Sequence, residues 1–314
     1  MTGNNASLSE TKRKGNIKSY WKRHWALYAM LLLPITYFAI FSYWPMINIL
    51  LAFKQNNVIL PVMQVPWVGL ANFERVFSNV QFHQAARNTL MFSGLDIAIG
   101  FPAPIILALL LNELKFRKFK RVTQTISYMP HFLSWIIIGG MAIRLFSTSQ
   151  GTVNDILYGW FGVTVPFLNR PAYWVVTNVL LSVWRSLGWN TIIYLAAITG
   201  VNPELYEAAD MDGASRLRKM WHVTLPGIRP VIIILFILTL GQIMSADMAR
   251  FLALENHLVR SVSTVFPIWI WRWGLQGSQF SMAAAAGFIQ NIINLVILFT
   301  ANMVVRKLGG RGLW

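Results

Sequence analysis

Residues 200–227 read GVNPELYEAADMDGASRLRKMWHVTLPG, a polar stretch set between two long apolar runs. Asn202 is placed as an N-cap and Pro203 suits the first helical position. Glu204 and Glu207 fall in the first turns, where negative charge is favoured by the helix dipole. Leu205, Ala208 and Ala209 make a small apolar stripe. Gly213 tolerates the backbone conformation that ends a helix. A second short helix is expected to follow, mixing Arg216, Arg218 and Lys219 with Leu217, Met220 and Trp221, and Leu225-Pro226 marks the turn into the next apolar run. Two amphipathic helices bent at a glycine fit the groove of a partner protein or equally a membrane surface.

The flanking runs are 173–199 and 228–246. Further runs lie at 26–53, 88–112, 123–146 and 282–305, giving six segments near the ~20 residues that cross a bilayer as a helix. Of 314 residues, 55% are hydrophobic and 12% charged, against roughly 25% charged in soluble domains. This excludes an ordinary soluble enzyme and a disordered chain. There is no cysteine, so disulfide frameworks and thiolate chemistry are excluded. The first run is too long for a secretory signal, and no small-residue cleavage site follows it. The expected class is an all-α membrane protein with six transmembrane helices.

The net charge of +16 would suggest nucleic acid in a soluble protein. Its distribution says otherwise. Lys12, Arg13, Lys14, Lys18, Lys22 and Arg23 precede the first run. The 113–122 loop carries five more Lys and Arg, the 200–227 loop three and the C-terminal tail three. The alternate loops, 54–87, 147–172 and 247–281, are longer and sparser in Lys and Arg. Positive charge stays inside, so both termini are expected in the cytoplasm. The organisation is a basic tail (1–25), a membrane domain (26–305) with the 200–227 loop inside, and a cytoplasmic tail (306–314). No nucleic-acid partner is expected.

Glu207-Ala208-Ala209, then Gly213, then Val223-x-Leu225-Pro226 resembles the EAA motif of permease subunits in ATP-binding-cassette importers. Val223 stands where isoleucine is usual. Asp212-Gly213-Ala214 fits the sugar-importer version. Trp67-Val-Gly-Leu-Ala-Asn72-Phe73, the 101–113 segment, Ser127-Tyr128-Met129-Pro130-His131-Phe132 and Leu308–Trp314 resemble the LplB-type oligosaccharide permeases. The resemblance implies a type I importer permease fold in the bacterial cytoplasmic membrane. It implies that Glu207, Ala208, Ala209, Asp212, Gly213, Leu225 and Pro226 form a coupling helix docking into an ATPase subunit. The implied partners are a second homologous permease, two ATPase subunits that hold ATP and Mg, an extracytoplasmic solute-binding protein, membrane lipid and an oligosaccharide. Acidic, uronate-containing saccharides such as alginate or pectin fragments are the expected cargo, with neutral oligosaccharides as the alternative.

No phosphate-binding G-x-x-x-x-G-K-[ST] loop, metal-ligand spacing or nucleophile elbow occurs in the sequence, so no catalysis by this chain and no cofactor bound to it are expected. An ion-coupled secondary transporter would call for several membrane carboxylates and inverted repeats; only Asp96 falls in a span, and no repeat is visible.

Pathway candidates come from polar residues at membrane depth. Arg185 lies mid-run beside Trp189 and Asn190, where an unpaired charge is costly. It either holds solute hydroxyls or a carboxylate through its planar fork or makes an internal ion pair. Asp96 is expected to pair with Arg144, at comparable depth on an adjacent antiparallel helix. Asp247 and Arg250 are three apart and share a helix face if the fifth helix continues, bracing the outer mouth or meeting solute. Trp269, Trp271 and Trp273 are read as interface-belt residues, with Trp271 also a candidate for stacking on a sugar. Pro34, Pro45 and the 100–104 segment are expected to kink their helices, either as packing devices or to shape a pathway.

Overall fold

The computed structural model describes residues 17–310, 312 and 313, with side chains from His24 onward. Lys12, Arg13 and Lys14 of the basic tail, Arg311 and Trp314 lie outside the described residues, and of Lys18, Lys22 and Arg23 only the backbone is described. Among the described residues the chain is helical, with one isolated antiparallel bridge, Lys54 to Trp67. It divides into two compact units after Leu50.

The first unit is the apolar N-terminal helix. Ile17–Phe38 is α-helical with Pro34 inside it, and Ala39–Tyr43 widens into a π turn. The helix then tightens to a 3-10 conformation from Trp44. Pro45 falls at that tightening, as expected of a residue that removes a backbone donor.

In the second unit, Val80–Asn112, Arg216–Leu240 and Phe280–Lys307 are long and apolar enough to cross a bilayer, as is His24–Phe53. Pro171–Thr199 is 29 residues long but carries Asn178, Arg185, Asn190 and Thr191 and falls outside that set. The 123–146 run is not a straight rod. Arg117–Phe132 and Trp135–Phe146 meet at a bend of 102°. Pro130 opens the break, and Ser134 starts the second helix by accepting a hydrogen bond from Ile137 N. The first arm is basic and polar at its start, RKFKR, and the second is almost wholly apolar, but apolar length alone does not register the bend between them.

The expected kink near Pro102 is a π turn, Asp96–Gly100, ahead of Pro102–Asn112. Helix 102–112 packs along Pro171–Thr199, with Thr191 Oγ1 donating to Pro104 O. Glycine permits another close approach: a Cβ on Gly188 would lie 2.1 Å from Ser127 O. Small residues at such crossings are how membrane helices bring backbones together.

The segment 247–281, read as a loop, folds into short helices that supply much of the core. Phe251, Val259, Val265 and Ile268 pack with Phe92, Trp174 and Val179. Phe266 and Trp269 pack with Phe82, Ala85, Ala285 and Ala286. A third cluster, Ala108, Tyr194, Ile198, Val201 and Ile228, lies beneath the 200–227 loop and is flanked by Tyr206 and Val223.

Candidate functional site

The 200–227 loop folds as two short helices. Asn202 Oδ1 accepts from Glu204 N at 3.1 Å, and Pro203–Met211 follows with proline at the first position. Gly213 has φ +67°. Its N–H donates to Asp210 O and that of Ala214 to Ala209 O, the paired bonds of a Schellman stop. Ser215 Oγ caps Arg216–Lys219. A π turn, Met220–Thr224, leads into Leu225–Leu240, with Leu225 and Pro226 opening that helix.

The loop is clamped on one side and free on the other. Tyr206 Oη donates to Thr224 Oγ1 at 3.0 Å, and Lys219 Nζ meets Asp210 Oδ1 at 2.6 Å. Glu207, Ala208, Asp212 and Gly213 are exposed, and Ala209 is partly buried. Leu205, Met211, Leu217 and Trp221 expose apolar side chains on the same loop. The Glu207 carboxylate makes no ion pair or hydrogen bond among the described residues. Capping and the tyrosine clamp hold the shape, so the free face is presented rather than collapsed.

The pathway candidates separate into groups. Arg185 has no carboxylate partner among the described residues; Nε donates to Leu133 O at 3.2 Å, and the guanidinium lies 5.0 Å from the centre of the Trp135 ring. It is thus anchored at the 102° break rather than in an ion pair. Trp135 Nε1 donates to Asp247 Oδ2 at 2.6 Å, and Asp247 Oδ1 caps Met248–Leu254 through Ala249 N. Trp189 is stacked on His131 at 4.4 Å and 3°. Asn190 lines a cavity of about 130 Å³ with Gly100, Phe101, Tyr194 and Thr239.

The expected ion pair is different in the structure. Asp96 pairs with Arg250, not Arg144, with Nη1 to Oδ2 at 2.6 Å. Arg144 is exposed. Arg250 is 4% exposed, and its Nε donates to Asn178 Oδ1 at 2.7 Å, so it turns away from Asp247. The reason is that the 247–281 segment dives into the core, which no count of helical spacing along 247–250 conveys. Its guanidinium also lies over the rings of Phe251 and Phe92.

The tryptophans differ too. Trp269 is 1% exposed and packs in the core, not at an interface. Trp273 stacks against it at 5.7 Å. Trp271 is partly buried at the end of Phe266–Trp271. Partners invisible in the one-dimensional reading include Trp135, Asn178, His131 and the carboxylate of Glu255. Glu255 accepts from Arg272 Nη2 through both oxygens, at 2.6 and 2.7 Å. Among the described residues no cluster of His, Asp and Glu is placed to hold a metal ion.

Residues 100–310 match the family described as binding-protein-dependent transport system inner membrane component. The chain is 40% identical to the polygalacturonan/rhamnogalacturonan transport system permease protein YteP of Bacillus subtilis, over 92% of this chain and 90% of that one. It is 38% identical to the protein LplB of the same organism, over 93% and 92%. Its fold superposes with a TM-score of 0.86 on a chain of a bacterial alginate ABC transporter solved in complex with an alginate pentasaccharide-bound periplasmic protein. That pair is 37% identical and covers 94% of this chain and 99% of the other.

Proposed function

The chain belongs to the inner-membrane components of binding-protein-dependent transport systems, a family of multi-pass, non-catalytic permeases, and on that premise we propose that it forms half of the translocation pathway of an ATP-driven oligosaccharide importer. The cargo is an acidic, uronate-containing saccharide. The similarity to permeases whose names specify polygalacturonan, rhamnogalacturonan and alginate supports this choice.

The observation that carries the coupling role is the free face of the 203–211 helix, with Glu207 unpaired and Leu205 and Met211 exposed. An amphipathic helix with apolar anchors and one charge suits a groove in a partner. The partners are a second permease, two ATPase subunits carrying ATP and Mg, and an extracytoplasmic solute-binding protein. The setting is the bacterial cytoplasmic membrane, with both termini inside. The large exposed apolar side chains along Phe280–Lys307, such as Leu295, Val296 and Met303, suit lipid or the second permease.

ATP-driven closure of the ATPase pair would push the 203–222 helices as a body, because the Tyr206–Thr224 and Lys219–Asp210 contacts tie both to the start of Leu225–Leu240. Motion would then pass to that long helix and open the pathway outward. Arg185, Trp189, Asn190, Asp247, Arg250 and Trp271 are its candidate polar and aromatic lining. The test is purification in mild detergent followed by competing uptake of neutral and uronate-containing oligosaccharides in vesicles. Co-purifying ATPase subunits and preference for the acidic saccharide are expected. A lone active chain sinks the importer reading, and equal or better uptake of neutral sugar removes the acidic cargo.

A further inference from the structure

A second cavity, of about 400 Å³, lies well away from Arg185 in sequence and is lined by Gln81, Gln84, Arg260, Thr264, Arg272 and Trp273, among others. Its volume is within the ~300–1,000 Å³ usual for small-ligand sites. All of these residues belong to the 54–87 and 247–281 segments, which the charge distribution assigns to the outer side.

The charges around it do not balance. Glu255 gives both oxygens to Arg272 Nη2, whose Nη1 donates in turn to Thr264 Oγ1 at 3.0 Å. Arg260 reaches the same carboxylate only at 3.5 Å through Nε, with its side chain 58% exposed. Two guanidinium groups therefore share one carboxylate, and the terminal nitrogens of Arg260 keep a planar fork free. Beside that fork stand the Gln81 amide, which makes no hydrogen bond among the described residues, and Gln84, whose Nε2 is spent on Ser261 O at 2.7 Å and whose oxygen is open. Trp273, stacked on Trp269, supplies an aromatic wall, and the buried Trp269 Nε1 has no acceptor among the described residues.

We infer that this cavity is an outer saccharide subsite that takes one uronosyl residue, with Arg260 on the carboxylate and the glutamines on ring hydroxyls. A fork of two parallel N–H donors matches a carboxylate. The residual single positive charge matches one acid group, and a hydroxylated ring needs both donors and acceptors, which amides provide. The inference rests on the importer reading and deepens it.

The test uses the whole importer complex in nanodiscs, without its solute-binding protein, and the probes trigalacturonate and galactotriose. Equilibrium binding is measured for the unaltered complex and for Arg260→Gln, with monodisperse elution checking that the variant is folded. Arg260→Gln leaves the Glu255–Arg272 pair whole. The dissociation constant for trigalacturonate should rise about tenfold, the scale of one charge-assisted hydrogen bond, while that for galactotriose stays put. Trp273→Leu should weaken both probes alike. An unchanged trigalacturonate constant in Arg260→Gln overturns the subsite, and an equal loss for both probes overturns its assignment to a carboxylate. Uptake by the unaltered complex is read separately in proteoliposomes with the binding protein. Failure there of any saccharide uptake counts against the importer reading, whereas the binding arm reads the subsite itself.

Discussion

Arg250 Nη1 lies 2.6 Å from Asp96 Oδ2, joining residues 154 positions apart. The bond ties the helix Met248–Leu254 to the π turn Asp96–Gly100 of an apolar span. Arg250 is almost wholly buried and spends a second donor on Asn178. Asp96 is more open, its side chain being 38% exposed. The cation is therefore the member whose desolvation has to be offset.

Removing the acid should be more harmful than its exposure suggests, because it leaves that cation unpaired. Asp96→Asn is expected to cost about 2–4 kcal/mol, near the range for breaking a buried pair with an allowance for the exposed carboxylate. The double variant Asp96→Asn with Arg250→Met should regain much of the loss. Thermal unfolding of the detergent-solubilised protein, followed by loss of monodisperse elution, reports it; a double variant no better than the single one would contradict the argument.

Gly213 tests coupling separately from folding. Its φ of +67° is costly for a β-branched residue, yet a Cβ there would meet nothing within 4 Å. Gly213→Val should cost about 1–2 kcal/mol in backbone strain and leave the protein folded while weakening the response of ATP turnover to solute. Gly213→Asn, which tolerates the left-handed region better, should retain most of the response. Full responsiveness in the valine variant would remove the bend from the coupling mechanism.

Gly188 is the opposite case. Its helix touches the backbone of Ser127 and Tyr128, so a methyl group must push two helices apart. Gly188→Ala should destabilise by about 1–3 kcal/mol, the usual range for overpacking. Gly287→Ala, in a helix with open space around the added carbon, should be neutral or slightly stabilising, since alanine favours helix by about 1 kcal/mol over glycine. Melting temperatures of the two variants, measured side by side, give the comparison.

Trp135 holds the 102° break to the 247–281 segment through Asp247. Trp135→Phe keeps an aromatic ring under Arg185 while deleting the Nε1 donor and part of a buried ring's volume. Loss of a hydrogen bond to a carboxylate should cost about 1.5–3 kcal/mol. Hydrogen exchange of amides 133–138 and 247–251 should accelerate together; acceleration of one without the other would show that the bond does not link them.

Local chemistry was legible in the chain. The Asn202 cap, Pro203 at the helix start and the stop at Gly213 each depend on residues within a turn of one another, so they were readable at 200–227. The apolar runs located the long helices for the same reason. The pairing of Asp96 was not readable: comparable depth on adjacent runs offered Arg144, and the real partner comes from a segment that looked like a loop. Trp269 misled similarly, since tryptophan in an alternating Trp segment between two apolar runs suits both an interface and a core.

The sequence by itself determined the class of this protein and the shape of its 200–227 loop, because hydrophobic length, capping and glycine conformation act over a few residues. The tertiary structure alone decided that much of 247–281 packs into the core, that Arg250 answers Asp96, and that Glu255 is spent on Arg272 and leaves Arg260 its free fork. Those outcomes turn on which charges are desolvated together, and desolvation is a property of packing rather than of order along the chain.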